Sequence, residues 1–349
     1  MTRRVLVTGG RGLLGNAVID DVLARGWQVT CLQRNPSGKA DGERVREVLG
    51  TVIDRGMVDA AIADCDAVIH LAARVGIEGS WREFESVNVE GTQVVLDAAE
   101  RASVSGFVQV SSPSVAHAGK PLVGAGADPA DPSTARGHYA RSKAMAERIV
   151  LDQSAVPVVA IRPHLVWGPG DTQLIGRIVQ RASSGRLFLV DGGTALIDTT
   201  YIDNAASAIG AALDRIVKID DQSVQGRAFV VSNGEPRPVR DIISAIVSAA
   251  GLDVGQRSIP FAPAYVVGGV VETALAPLLA RRGIEPPVTR FLVEQLATAH
   301  WFDQRGVREA LEWHPQVSLD EGMERLARWF ASGVATAAEP DGRVETSYT

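Results

Sequence analysis

Cysteine is almost missing. Cys31 and Cys65 are the only two in 349 residues, and each lies in an apolar, strand-like run. That pattern suits buried thiols in a reducing compartment and excludes a disulfide framework. No metal site is expected. A basic patch is also missing: 35 Lys and Arg stand against 41 Asp and Glu, a net charge of -6. Nucleic acid needs a clustered positive field, so no nucleic-acid partner is expected. The opening Met1-Thr2-Arg3-Arg4-Val5-Leu6-Val7 enters a strand pattern at once, without the apolar core and cleavage site of a signal peptide, and a cytoplasmic location is expected. Long uninterrupted apolar runs are lacking too. The nearest, Phe261 to Leu279, carries Pro263, Glu272 and Pro277 and ends at Arg281-Arg282. It is expected to form a substrate-region helix able to touch a membrane surface rather than to cross one. No internal repeat is present.

What is there is a large supply of core. With 46% hydrophobic and 22% charged residues, the chain can bury one large or two modest domains. From Arg4 to about Pro163, short β-branched runs alternate with amphipathic stretches, which predicts an α/β fold with a doubly wound parallel sheet. Val5–Val7, Val29–Leu32, Ala67–Leu71, Phe107–Val110 and Val158–Ile161 read as strands. Leu14–Arg25, Met57–Ala63, Val87–Arg101 and Tyr139–Asp152 read as helices. The alternation breaks after Trp167-Gly168-Pro169-Gly170. The expected organisation is a nucleotide-binding domain over 1–170, a substrate-binding region over 171–330 and a disordered tail over 331–349. Residues 198–233, with a helix at Asn204–Arg215 and a strand at Ala228–Val231, are expected to fold back onto the first domain.

Thr8-Gly9-Gly10-Arg11-Gly12-Leu13-Leu14-Gly15 directly follows the first strand and opens the first helix. In that context Gly9, Gly12 and Gly15 let the backbone approach a pyrophosphate seated at the helix N-terminus, a Rossmann-type site. A purely structural turn is the alternative. At the end of the second strand an acidic residue would accept from a ribose 2′-hydroxyl; here stands Gln33-Arg34. Arg34 and Arg11 could clamp a 2′-phosphate, so NADP is expected over NAD, although arginines at such positions are often merely solvated. Asp54 is placed for the adenine amino group, and His70-Leu71-Ala72-Ala73 for the adenosine side.

Tyr139-Ala-Arg-Ser-Lys143 puts a phenol and an ammonium on one helix face. A tyrosine with a pKa near 10 is a poor acid-base catalyst at neutral pH, and a nearby ammonium favours its phenolate. Alone, the pair reads more simply as packing beside a solvated lysine. The company it keeps reverses that reading: Asn88-Val89-Glu90-Gly91-Thr92, Val110-Ser111-Ser112 and Arg162-Pro163-His164-Leu165-Val166-Trp167-Gly168-Pro169-Gly170.

With these motifs in this order, the chain resembles the extended short-chain dehydrogenase/reductases over nearly its whole length, most closely their 3β-hydroxysteroid dehydrogenase-like branch. Ser112-Pro113-Ser114-Val115, Thr200–Ala206, Val231–Pro236 and Thr289–Leu296 are similar to that branch's NADP-dependent 2-alkyl-3-oxoalkanoate reductases of bacterial olefin and β-lactone biosynthesis. The resemblance implies that Tyr139 exchanges a proton with the substrate oxygen while a hydride moves to or from the nicotinamide. It implies that Lys143 lowers the tyrosine pKa and holds the ribose hydroxyls, that Ser112 bonds the substrate oxygen, and that Asn88 supports Lys143 through water. Pro163 and Leu165 would receive the nicotinamide amide. Helix capping by Asn88 and strand-end capping by Ser112 are the plain alternatives.

A long-chain oxo acid needs an apolar groove and a few polar groups. Phe261, Tyr265, Val266, Val270, Leu275, Phe291, Leu292 and Trp301 are the candidate lining, and His164 and Arg290 the candidates for its carboxylate. Histidines 117, 138, 300 and 314 are expected to be structural or exposed. The alternatives are a 3β-hydroxysteroid or sterol-4-carboxylate 3-dehydrogenase and, in another class, a non-catalytic NADP sensor or scaffold, against which the presence of both Tyr139 and Lys143 argues. The resemblance further implies a homodimer across the helices carrying Asn88 and Tyr139, and a β-lactone-forming enzyme as pathway partner.

Overall fold

The computed structural model describes residues 3–76, 79–117, 119–218, 223–253, 257–275 and 289–333. Seven strands form one parallel sheet: β1 (Arg4–Thr8), β2 (Gln28–Gln33), β3 (Val45–Leu49), β4 (Ala67–His70), β5 (Gly106–Val110), β6 (Val158–Pro163) and β7 (Arg227–Val231). Their order is β7-β6-β5-β4-β1-β2-β3. The register runs Leu6 beside Thr30 and Val68, then Val108 beside Val159, then Ile161 beside Phe229. Apart from the edge strand β3, which carries Arg46 and Glu47, these strands are buried and mostly apolar rather than alternating, because helices cover both faces.

One face packs α1 (Leu13–Ala24) against the helix Ile202–Ile216, around Val5, Val7, Val18, Ile19, Ile209 and Leu213. The other packs α2 (Arg55–Ile62), α3 (Gly91–Arg101) and α4 (Gly137–Gln153), around Leu6, Val58, Val95, Leu96, Phe107 and Val150. Strand β7 and the helix before it lie beyond residue 170, so the sheet is completed by the later part of the chain.

The second region is built on a four-stranded sheet of short pieces in the order Arg237–Pro238, Leu196–Ile197, His300–Phe302, Leu122–Ala125. Sequence reading singled out none of these strands, each of two to four residues, because so short a piece carries no period. The apolar stretch at 261 forms α5 (Phe261–Val270), which runs into a π-helical turn at Val271–Leu275. No helix among the described residues is long and apolar enough to cross a membrane. The helix Leu319–Ala331 reaches the first residue of the expected tail, and the rest of that expectation falls, from 334 on, outside the described residues.

Candidate active site

The glycine turn lies between β1 and α1. Gly9 has φ +76°, and a Cβ there would sit 3.0 Å from the Ala72 backbone; one at Gly15 would sit 2.3 Å from the Gly9 carbonyl oxygen. Leu71 and Ala72 are tied to the same turn, through Leu71 N–H to the Thr8 carbonyl (3.3 Å) and Ala72 N–H to Thr8 Oγ1 (3.1 Å). Helix α1 starts at Gly12 with no side-chain cap and no acidic residue in its first turn. Its leading N–H groups and dipole therefore face the turn uncompensated, which suits an anion. A nucleotide pyrophosphate fits this cradle.

Gln33 and Arg34 separate at the end of β2. The Gln33 side chain is buried beneath the turn and donates to Glu47 Oε1 at 2.7 Å. It shapes the floor instead of reaching a ribose. Arg34 and Arg11 are exposed and have no carboxylate partner among the described residues. In the amide orientation that satisfies both sides, Asn35 accepts from Arg11 Nη1 (3.0 Å) and donates to the Arg34 carbonyl (3.2 Å). Asp54, expected at the adenine, is an exposed N-cap of α2 that accepts from Met57 N–H at 3.1 Å. An aspartate just before a helix satisfies that orphan donor with one carboxylate oxygen, Oδ1.

A directed chain of hydrogen bonds ties the turn to the catalytic elements. The Thr92 hydroxyl donates to the Asn88 carbonyl (2.6 Å) and so accepts from His70 Nε2 (3.0 Å), and His70 Nδ1 then accepts from the Thr8 hydroxyl (2.7 Å). Burial, with the Lys143 charge adding, pushes His70 down to about 3. This neutral histidine is a fixed brace. Asn88 sits in a π-helical turn, Glu85–Glu90. Its amide accepts from Arg74 N–H (2.6 Å) and donates to the Arg74 carbonyl (3.0 Å) and to Ser142 Oγ (2.9 Å), which donates to the Tyr139 carbonyl (2.9 Å). Asn88 thus grips Ser142, one residue before Lys143, on the helix that carries Tyr139.

Lys143 is buried on α4 and donates to the Val110 carbonyl at 2.6 Å. Burial brings its ammonium down to about 8, against an upward pull from Glu147. Tyr139, one turn earlier and partly buried, is hydrogen-bonded to Ser112; burial raises its phenol and the Ser112 bond lowers it. Ser112 accepts from Ser114 N–H (3.3 Å) and from Ser114 Oγ (3.0 Å), capping Pro113–Ala116 as well as meeting Tyr139. Pro163 ends β6, and Leu165 follows at φ +43°, a strained conformation of the kind kept at functional sites.

Ser112 and Tyr139 open onto a cavity of about 1090 Å³ whose described lining includes Leu165, Leu174, Ile178, Phe188, Ile242, Ile243 and Ile246. The glycine turn does not line it, so this is the substrate side. Of the candidates, Tyr265, Leu292, His164 and Arg290 line it. Phe261 instead stacks on Tyr265 at 5.4 Å, and Trp301 packs on Gly124. Val266 and Val270 are 64% and 55% exposed and face away. The side chains of Leu275 and Phe291 lie outside the described residues. Sequence reading missed Ile242, Ile243 and Ile246, whose spacing marks one apolar face of the helix Val239–Ala249.

The carboxylate candidates change character. His164 donates Nδ1–H to the Asp198 carbonyl (2.6 Å), and burial pushes it down to about 4, so it offers a lone pair rather than a charge. Arg290 is half-exposed, 4.0 Å from Glu272 and stacked over the Tyr265 ring at 5.4 Å. His117, His138 and His300, set aside on sequence grounds, line the cavity too. Cys31 and Cys65 are buried free thiols, pushed up to about 12 and about 11 by burial. No group of His, Cys, Asp and Glu among the described residues is arranged to hold a metal ion.

Comparison with known proteins fits this geometry. Residues 6–261 match the 3-beta hydroxysteroid dehydrogenase/isomerase family. The chain is 40% identical to a 2-alkyl-3-oxoalkanoate reductase of Stenotrophomonas maltophilia, over 93% of this chain and 98% of that one. It is 34% identical to another from Shewanella oneidensis, over 92% and 84%. Among solved structures it resembles a UDP-glucuronic acid 4-epimerase from Bacillus cereus in complex with NAD (TM-score 0.71, 19% identity, 94% and 99% covered), a likeness of fold. The chain belongs to the 3-beta hydroxysteroid dehydrogenase/isomerase family and is an oxidoreductase of the extended short-chain dehydrogenase/reductase type.

Proposed function

We propose that this protein interconverts a long-chain 2-alkyl-3-oxoalkanoate and the corresponding 2-alkyl-3-hydroxyalkanoate with NADP as cofactor. The observation that carries this reading is Ser112 and Tyr139 opening onto a large apolar cavity, in a chain 40% identical over 93% of its length to a 2-alkyl-3-oxoalkanoate reductase. The glycine turn and the α1 N-terminus would hold the pyrophosphate, Arg11 and Arg34 the 2′-phosphate, and the Pro163–Leu165 backbone the nicotinamide amide. When bound, the cofactor supplies or accepts the hydride. Ser112 donates to the keto oxygen and orients it. Tyr139 delivers its phenolic proton to that oxygen as charge develops there, and takes it back in the reverse direction. Lys143 would meet the ribose hydroxyls and place a positive charge near the phenolate. The long alkyl chains lie against Leu174, Ile178, Ile242, Ile243 and Ile246, and water is kept from the reacting centre.

A sterol-4-carboxylate is the second reading, favoured by 26% identity over 94% of the chain to the mouse sterol-4-alpha-carboxylate 3-dehydrogenase. As further parts of the proposal, the protein works in the cytoplasm as a homodimer across the helices bearing Asn88 and Tyr139, and passes its hydroxy acid to a β-lactone-forming enzyme. The test follows NADPH absorbance when NADP meets a 2-alkyl-3-hydroxyalkanoic acid, with a 3β-hydroxysteroid in parallel. Turnover of the acid alone supports the first reading, and turnover of the steroid alone discards it.

A further inference from the structure

Three imidazoles meet in the cavity that Ser112 and Tyr139 share. The rings of His117 and His300 stand edge to face with centroids 5.0 Å apart, and His164 lies 6.2 Å from His300. Their exposures are 7%, 1% and 8%, and all three line the cavity. Hydrogen bonds fix two tautomers. His164 gives Nδ1–H to a carbonyl, so its Nε2 carries a lone pair. The Thr298 hydroxyl is committed to the Glu294 carbonyl (2.6 Å) and accepts from His300 Nε2 (3.0 Å), which leaves His300 Nδ1 a bare acceptor, buried without a partner. His117 Nδ1 is likewise buried and unpartnered. An unmet buried polar group is costly, and apolar residues would fill the same wall without that cost.

The keto oxygen of an oxo acid occupies Ser112 and Tyr139, and its acid group, attached at the neighbouring carbon, needs partners within a few ångströms. We propose that His117, His164 and His300 form the acid-group site of this cavity, taking up one proton from solvent as a carboxylate enters. This rests on reading the cavity as a site for an oxo acid. The balance is simple: neutral cluster plus carboxylate plus one proton gives an imidazolium–carboxylate pair, with no bond broken in the ligand. Burial holds the empty cluster neutral, with His164 at about 4 and His300 at about 3. A carboxylate in contact favours the charged ring. Five arginines, Arg136, Arg177, Arg181, Arg186 and Arg290, also line the cavity, none of them buried as the three histidines are. Arg136, beside His117, is paired with Glu294. Arg290, on the same wall, lies beside Glu272. The Asp198 carboxyl is turned to Ser232 Oγ (2.6 Å) and Glu235 N–H (3.3 Å). Acid binding should therefore weaken about tenfold per pH unit once pH exceeds the pKa of the loaded cluster.

The experiment titrates decanoate and 1-decanol into the protein with NADP bound, by calorimetry at pH 6, where the empty cluster is neutral and Lys143 stays charged, in buffers of different ionisation enthalpy. Decanoate is expected to bind with uptake approaching one proton, and 1-decanol with none. His300→Gln and His117→Gln should remove the uptake and weaken decanoate at least about tenfold while leaving 1-decanol and NADPH affinity unchanged. NADPH binding and a cooperative melt show that each variant is folded, and either variant suffices. Decanoate binding without proton uptake, no decanoate binding, or equal weakening of both probes overturns the proposal. Failure of the oxo-acid reading shows separately, as absent turnover of the hydroxy acid while decanoate still binds with its proton.

Discussion

Glu147 and Arg162 hold each other at two points, Oε2 to Nε at 2.9 Å and Oε1 to Nη2 at 2.5 Å, with side chains 0% and 1% exposed. The pair lies one helical turn past Lys143, which Glu147 helps to keep charged. Glu147→Gln should strand the Arg162 charge and cost about 3–5 kcal/mol in urea unfolding. Replacing both, Glu147→Leu with Arg162→Met, should cost markedly less. Equal losses would mean that the pair is not coupled.

The same carboxylate sets a pH limit. Lys143 is charged below about 8 and neutral above it, while Tyr139, raised by burial, keeps its proton throughout that range. Reduction should thus hold level and then fall as pH rises through about 8. Removing the Glu147 charge lowers the lysine further, so the fall in Glu147→Gln should begin at lower pH. A rate that stays level to pH 9.5 in both proteins would remove Lys143 charge from the mechanism.

Tyr139→Phe keeps the ring and removes the proton. Turnover should drop by about 10²–10⁴ or more, with NADPH affinity nearly unchanged. Fluorescence titration with NADPH beside steady-state rates separates the two effects, and a substantial residual rate refutes the role.

Arg34→Ala should weaken NADPH by about tenfold and leave NADH unchanged, since a charged hydrogen bond contributes about 1.5–3 kcal/mol. Equal kcat/KM for NADH and NADPH in the unaltered protein would defeat the 2′-phosphate assignment at once.

Gly15→Ala forces a Cβ to within 2.3 Å of the Gly9 carbonyl oxygen, whereas a Cβ at Gly26 meets nothing and only its φ of +86° is strained. Gly15→Ala should abolish NADPH binding. Gly26→Ala should lower stability by about 1 kcal/mol with binding intact.

Six strands of the first sheet were legible because they are Val- and Ile-rich runs and the glycine turn sits where strand meets helix; the edge strand β3 was not, because Arg46 and Glu47 break its apolar pattern. Ser112, Tyr139 and Lys143 were legible for a related reason: each is placed by an element that the local pattern defines. The second region was not, because pieces such as Leu196–Ile197 and Arg237–Pro238 are held by tertiary pairing rather than by any period of their own. That pairing, with His300 beside Leu122, carries a histidine from near the end of the chain to the neighbourhood of His117. Nothing in the spacing of 117 and 300 shows it. The faces of α5 were misassigned because the helix is apolar nearly all round, so composition could not tell Tyr265, turned inward, from Val266, turned out.

Strand β7 pairs with β6 from a point more than sixty residues later, and the helix Ile202–Ile216 closes over α1 from the same late segment. A chain cut after Gly170 would keep every residue assigned here to the nucleotide, yet leave β6 as a bare edge and one apolar face of the sheet covered by α1 alone. Such a fragment should aggregate rather than bind cofactor. During synthesis the nucleotide fold cannot close until the ribosome has released residue 231, so the first stretch of the substrate region, with the helix Ile175–Ser183, emerges before the first domain is finished.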